Sequence, residues 1–227
     1  MTDSKPVIAV LGGTGSLGLG LARNWLRSGY RVLIGSRTQA KADEALAALR
    51  TELAEAGVTQ IDASALDNVA AAEAADVVAM AVPFAHHRAT LESVKEAVQG
   101  KIFIDVTVPL VPPKVARVQL PPEGSAGLIA QAVLGENVRV VSAFQNVAAT
   151  HLQHGTGKDC DVLVCGDNKE ARAVVVSLVE ACGMRGFHAG SIANSAAVEA
   201  LTSVLIFINK NYSAHAGIRI TGVEGAA

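Results

Sequence analysis

Aromatic side chains are scarce in this chain: they make up 4% of its 227 residues, with a single tryptophan. The core must therefore be built from aliphatic packing, and no series of aromatics among basic residues is available to stack nucleic-acid bases. An excess of either charge is missing too, with 19 Lys and Arg against 21 Asp and Glu. A net charge of −2 and a pI near 6.3 give no electrostatic case for nucleic acid or an anionic membrane surface. The three cysteines, Cys160, Cys165 and Cys182, are an odd number in apolar surroundings, which fits reduced, buried thiols better than a disulfide frame. Metal-ligand spacing is absent: His86 and His87 are adjacent, so on a helix they diverge by about 100° and cannot readily share an ion. No apolar run reaches the length of a membrane span, and the first residues, Met1 to Pro6, lack the apolar centre of a signal peptide. A cytoplasmic protein with no membrane partner is expected.

What the chain does contain is apolar and glycine-rich: half of it is hydrophobic, with 21 glycines. Its organising stretch runs from Val7 to Arg37. The apolar run Val7-Ile8-Ala9-Val10-Leu11 reads as a strand buried on both faces, and it breaks at Gly12. Gly13, Gly15 and Gly18 then stand at G-x-G-x-x-G spacing, while Leu17, Leu21, Trp25 and Leu26 recur at helical spacing. Gly13 suits the tight turn, Gly15 the close approach of a pyrophosphate, and Gly18 the packing of the helix that follows. The N–H groups of Ser16, Leu17 and Gly18, at the positive end of that helix, are placed to hold phosphate.

A second strand, 31–34, ends in Gly35-Ser36-Arg37 with Lys41 one turn further on. NAD sites usually carry a carboxylate there to bind the ribose hydroxyls; here there is none to repel a phosphate. Arg37 offers a planar fork of donors, Ser36 and Thr14 offer hydroxyls and Lys41 a point charge, which together make a cage for a 2′-phosphate. NADP(H) is predicted over NAD(H).

Strands at 7–11, 31–34, 59–63, 76–82 and 101–105 alternate with helices at 16–27, 39–56 and 84–98 and with one that a capping box at Ser64-Ala65-Leu66-Asp67 opens and that runs through Ala75. Such alternation predicts an α/β protein with a Rossmann-type doubly wound parallel sheet and helices on both faces. Five of the seven prolines fall between Val106 and Gly124, predicting a long loop at a strand's carboxyl end and a wall of the active site. A helix at 123–134 and a strand at 138–143 follow. Polar, glycine-containing residues near 152–158 suggest a boundary between an NADP-binding domain at 1–154 and a smaller C-terminal α/β domain at 155–227. That domain would hold strands at 161–165 and 185–188 and helices at 168–182 and 194–211, completing the substrate cleft and supplying a dimer contact.

Strand ends at Val82-Pro83-Phe84 and Phe144-Gln145-Asn146-Val147 are expected to flank a nicotinamide extended from the glycine loop, with Val82, Pro83 and Val147 as cofactor contacts. Pro83, His86, His87, Gln145, Asn146, Thr202 and Asn209 are the candidates facing the second substrate. No Ser-His-Asp, paired-carboxylate or Cys-His constellation accompanies them. An apolar cleft with amides and a histidine or two suits hydride transfer, where the protein aligns the reactants and excludes water.

Several segments together resemble the NADPH:coenzyme F-420 oxidoreductases: 11–18, Gly35-Ser36-Arg37 with Lys41, 122–126, 141–144, 161–167, Asn194-Ser195 and Glu199 to Thr202. The resemblance extends over almost the whole chain. It implies hydride exchange between NADP(H) and an 8-hydroxy-5-deazaflavin stacked face to face in a cleft between a large and a small domain, the 2′-phosphate held by Thr14, Ser36, Arg37 and Lys41, and a homodimer. The chain departs from the family at Gln145, where a histidine is typical, and at Phe84-Ala85-His86-His87, where an aromatic, an acid and a histidine are common. These departures keep an imine, carbonyl or flavin in view as the second substrate.

Overall fold

The structure, a computed structural model, describes residues 5–153 and 160–223. Eight strands are joined in one sheet: β1 (Ile8–Leu11), β2 (Val32–Ser36), β3 (Ala63–Asp67), β4 (Val77–Met80), β5 (Ile102–Asp105), β6 (Arg139–Ser142), β7 (Asp161–Gly166) and β8 (Arg185–His188). Their order is β3-β2-β1-β4-β5-β6-β7-β8, parallel throughout except that β7 runs antiparallel to β6. The helices are α1 (Ser16–Arg27), α2 (Gln39–Glu55), α3 (Asn68–Ala74), α4 (His87–Val94), α5 (Ala126–Leu134), α6 (Ala149–Gln153), α7 (Lys169–Ala181) and α8 (Ser195–Tyr212). The doubly wound α/β fold expected from the sequence is present. The domain boundary expected at 154/155 lies outside the described residues.

The continuous apolar character of β1 has a direct cause, since all four of its residues are buried. Ile8 and Val10 point into a core shared with Leu21 and Trp25 of α1, Leu46 and Leu49 of α2 and Leu178 of α7. Ala9 and Leu11 point the other way, among Ala71 of α3, Leu91 of α4 and Ile129 of α5. Each fully buried aliphatic side chain contributes about 1.5–3 kcal/mol, so the two cores hold the sheet without many aromatics. Trp25, fully buried, meets Phe144 edge-on with ring centres 6.2 Å apart, and its indole N–H donates to the Leu178 carbonyl.

Two elements differ from the sequence reading. The strand expected at 59–63 lies instead at Ala63–Asp67, paired in parallel register from Val32↔Ala63 to Ser36↔Asp67. It is an edge strand, mostly half-buried, so its polar residues look like a helix start when only their spacing is seen. Asp67 is itself the cap of α3, accepting from the N–H groups of Val69 and Ala70. After Pro83, the chain makes a 3-10 turn at Phe84–His86, and α4 ends at Val94, short of the expected Val98.

The sequence predicts no membrane span, yet Ile192–Tyr212 has a mean hydropathy of 1.5 and is long enough by composition to cross a bilayer. Its polar groups instead bind it to the rest of the fold. Thr202 donates to the Gln145 carbonyl, Asn146 donates to the Val198 carbonyl and Thr202 Oγ1, and Glu199 accepts from the backbone of α5. The other side of α8 exposes Val204, Phe207 and Tyr212.

Candidate active site

The glycine loop is a close fit between β1, β2 and α1. Gly13 donates its N–H to the Gly35 carbonyl, and Gly15 donates to that of Gly12. A Cβ on Gly13 would lie 2.7 Å from the Val10 carbonyl oxygen, and one on Gly18 would lie 2.9 Å from that of Gly12. Both positions must be bare for strand, turn and helix to meet. A Cβ on Gly15 would meet only the Gly12 oxygen, at an ordinary 3.5 Å, so this glycine's outer side is open. Gly15 is the N-cap of α1 without a side-chain cap, and the first turn contains no acid. The leading N–H groups of α1 are thus left to an anion.

Beside the loop lies a hollow of about 230 Å³ that contains Thr14, Gly15, Ser36, Arg37 and Lys41, the residues grouped by sequence, along with Val82, Pro83 and His86. Asn68 and Thr90 also line it, and no carboxylate among the described residues does. Three hydroxyls and two cations with no acid among them suit a phosphate ester on a ribose. Asn68 escaped the sequence reading because the misplaced β3 put it inside a helix instead of at a strand end. Thr90 gives no local signal and is brought here only by the packing of α4.

A second hollow of about 530 Å³ shares Gly15, Ala81, Val82 and Pro83 with the first. Ser16, Leu17, Phe84 and Ala85 form one side, and Val106, Thr107, Val108, Leu110, Pro112 and Val115 of the proline-rich loop form the other. The loop is therefore a wall, as its position and stiffness suggest. Apolar walls on both sides suit flat conjugated rings and keep water out.

Other candidates are not brought there. Gln145, Asn146, Val147, Thr202 and Asn209 line a separate cavity of about 60 Å³ under α8. Their polar groups stitch the protein together: Gln145 donates to the Asp105 carbonyl and to Ser142 Oγ, and Asn209 accepts from the Ala216 N–H. The two histidines separate as well. His86 is exposed on the cationic hollow, whereas His87 turns inward, 1% exposed, with Nε2 2.6 Å from Asp105 Oδ2. Burial raises the thiol pKa of both Cys160 and Cys165, the latter to about 11, so these cysteines are poor nucleophiles.

One buried acid was not anticipated. Glu199 of α8 accepts from the N–H groups of Ala126 and Gly127 at the start of α5, and Ser195 donates to Ser125 nearby. Burial pushes the Glu199 carboxyl up to about 8; the Asp105 charge acts in the same sense, and the two backbone donors and Ser195 act against it. The folded chain thus holds a proton that the unfolded chain releases near 4.5. This stabilisation is complete below about 4.5, declines as pH rises and is gone above about 8. We expect Glu199→Gln, isosteric with the protonated acid, to remove that decline. Thermal melts at about pH 6 and about pH 9 should show a larger loss in the parent chain than in the variant, by an amount on the order of a few kcal/mol. Equal losses would contradict this.

Known proteins resemble the chain over nearly its whole length. The family model described as NADP oxidoreductase, coenzyme F420-dependent, matches residues 7–109. The F420-dependent NADP reductase of Methanocaldococcus jannaschii is 40% identical, the match spanning 96% of this chain and 99% of that one. The enzyme of the same name from Methanothermobacter marburgensis is 39% identical over 95% of this chain and 98% of its own. The crystal structure of a provisionally assigned F420-dependent NADP reductase from Arthrobacter sp. FB24 superposes with a TM-score of 0.77 at 26% identity, over 95% of this chain and 100% of that one. The chain belongs to the family of F420-dependent NADP reductases.

Proposed function

We propose that this chain is an oxidoreductase that transfers hydride between NADP(H) and coenzyme F420, an 8-hydroxy-5-deazaflavin. The observation that carries the proposal is the pair of hollows joined at Gly15, Val82 and Pro83, one cationic and free of carboxylates, the other apolar. The family's name supplies the identity of the acceptor. The hydride chemistry belongs to the two substrates. The protein's residues hold and align them. Thr14, Ser36, Arg37 and Lys41 grip the 2′-phosphate, and the first N–H groups of α1 orient the pyrophosphate. Leu17, Val82, Pro83, Phe84 and the 106–124 loop exclude water from the reacting rings.

The exposed Val204, Phe207 and Tyr212 of α8 support a homodimer in which a second copy covers this helix, and three buried cysteines outside any disulfide support a reducing, cytoplasmic setting. Residues 160–223 act as a smaller unit that braces the cleft through α8. To test the function, NADPH oxidation is followed with the deazaflavin and with a panel of flavins, quinones, imines and carbonyls. Turnover of the deazaflavin and of no other acceptor is expected. Turnover of an imine or carbonyl without the deazaflavin would overturn the proposal.

A further inference from the structure

Among the described residues no acid or base lines the apolar hollow, yet a buried ionisable pair lies directly behind it. Asp105 ends β5 and is fully buried. Its Oδ2 meets His87 Nε2 at 2.6 Å, its Oδ1 accepts the Thr107 N–H at 2.9 Å, and its carbonyl accepts from Gln145 Nε2 at 2.8 Å and the Ala143 N–H at 3.2 Å. One residue thereby ties together the chain segments that leave β4, β5 and β6. The His87 ring in turn lies against Phe84, centroids 5.8 Å apart and planes tilted by 32°. Phe84 and Thr107 belong to the two facing sides of the hollow, and neither His87 nor Asp105 lines it.

A buried pair of this kind seldom repays its desolvation as stability, because an apolar replacement of the same volume is often equally stable. Geometry is what it can supply. We propose that His87 and Asp105 form a positioning pair for the reaction, setting how Phe84 and Thr107 face each other and so how closely the two substrate rings approach. The inference rests on the reading of this hollow as the site where nicotinamide and acceptor meet. Hydride moves efficiently only when the reacting atoms are about 3–3.5 Å apart, and a misplacement of 1 Å costs about 100-fold in rate.

Two amide variants test this, because both keep a polar side chain at position 87. His87→Gln places its amide nitrogen near the position of imidazole Nε2 and can still donate to Asp105. His87→Asn is one carbon too short to do so. Each is measured as folded protein, below its own melting temperature, for kcat and for the KM of NADPH with the deazaflavin. His87→Asn is expected to lose about 10- to 100-fold in kcat, with KM for NADPH within about twofold because the phosphate cage is elsewhere, and His87→Gln is expected to recover most of the loss. An unchanged kcat in His87→Asn, equal losses in both variants, or a loss confined to KM would overturn the pair's role. If the parent chain itself does not pass hydride from NADPH to the deazaflavin, the functional reading fails before the variants are compared.

Discussion

Replacing Arg37 with alanine should weaken NADPH binding by about 30- to 150-fold while leaving NADH binding nearly unchanged, as read by titration of each nucleotide. Charge-assisted hydrogen bonds are worth about 1.5–3 kcal/mol each, and a guanidinium can make two to one phosphate. Arg37 and Lys41 are exposed, so water and salt reduce the sum to about 2–3 kcal/mol, and about 1.4 kcal/mol is tenfold in affinity. Lys41→Ala should cost less, since an ammonium acts as a point charge without the planar fork. Both effects should shrink as ionic strength rises. The discrimination comes from what the hollow lacks as much as from what it has, because no Asp or Glu lines it to accept from a ribose 2′-hydroxyl. A loss of the same size for both nucleotides would place Arg37 outside the cage.

The glycines of the loop should separate by role when each becomes alanine. A methyl on Gly18 would lie 2.9 Å from the Gly12 oxygen and 3.0 Å from the Gly13 Cα, both backbone atoms with little freedom to move. We expect Gly18→Ala to destabilise the fold by about 1–3 kcal/mol, as overpacked sites do, and to lower NADPH affinity as well. A methyl on Gly15 has space, and its φ of −84° is one that alanine adopts easily. Gly15→Ala should therefore melt with the parent chain but bind NADPH about tenfold more weakly, the equivalent of roughly one lost hydrogen bond, because the methyl stands where the pyrophosphate must approach. Melting curves and nucleotide titrations on the two variants decide it. A destabilised Gly15→Ala, or a Gly18→Ala indistinguishable from the parent chain, would contradict the geometry described for the loop.

What could be read from the sequence was what is local along the chain. The strand, the three glycines, the helix and the Ser36-Arg37-Lys41 group lie within 35 residues of one another, and their spacing alone places them on one edge of a sheet. The wall that Val106 to Val115 give the apolar hollow was legible for a similar reason, as proline stiffness at a strand end needs no tertiary information. Contacts made across the sheet were not legible. Asn68 was hidden by the register of an edge strand whose alternation is weak. The inward turn of His87 depends on Asp105, 18 residues away, and the burial of Glu199 depends on α5, more than 70 residues away. Gln145, Asn146 and Thr202 carry polar groups that suit a substrate equally well, and only the structure shows them bonded to one another and to the backbone of α8.

If the joined hollows bring the nicotinamide of NADPH against the ring of a deazaflavin, hydride passes directly from one to the other. That transfer is tested most directly by mixing the protein with NADPH deuterated on the transferring face of C4 and with oxidised coenzyme F420, then locating the label by mass spectrometry and NMR. We expect deuterium on the reduced deazaflavin, on one face only, with no exchange into water and little transfer when labelled NADH replaces NADPH. Deuterium that stays on the nucleotide, or that passes as readily from NADH, would contradict it.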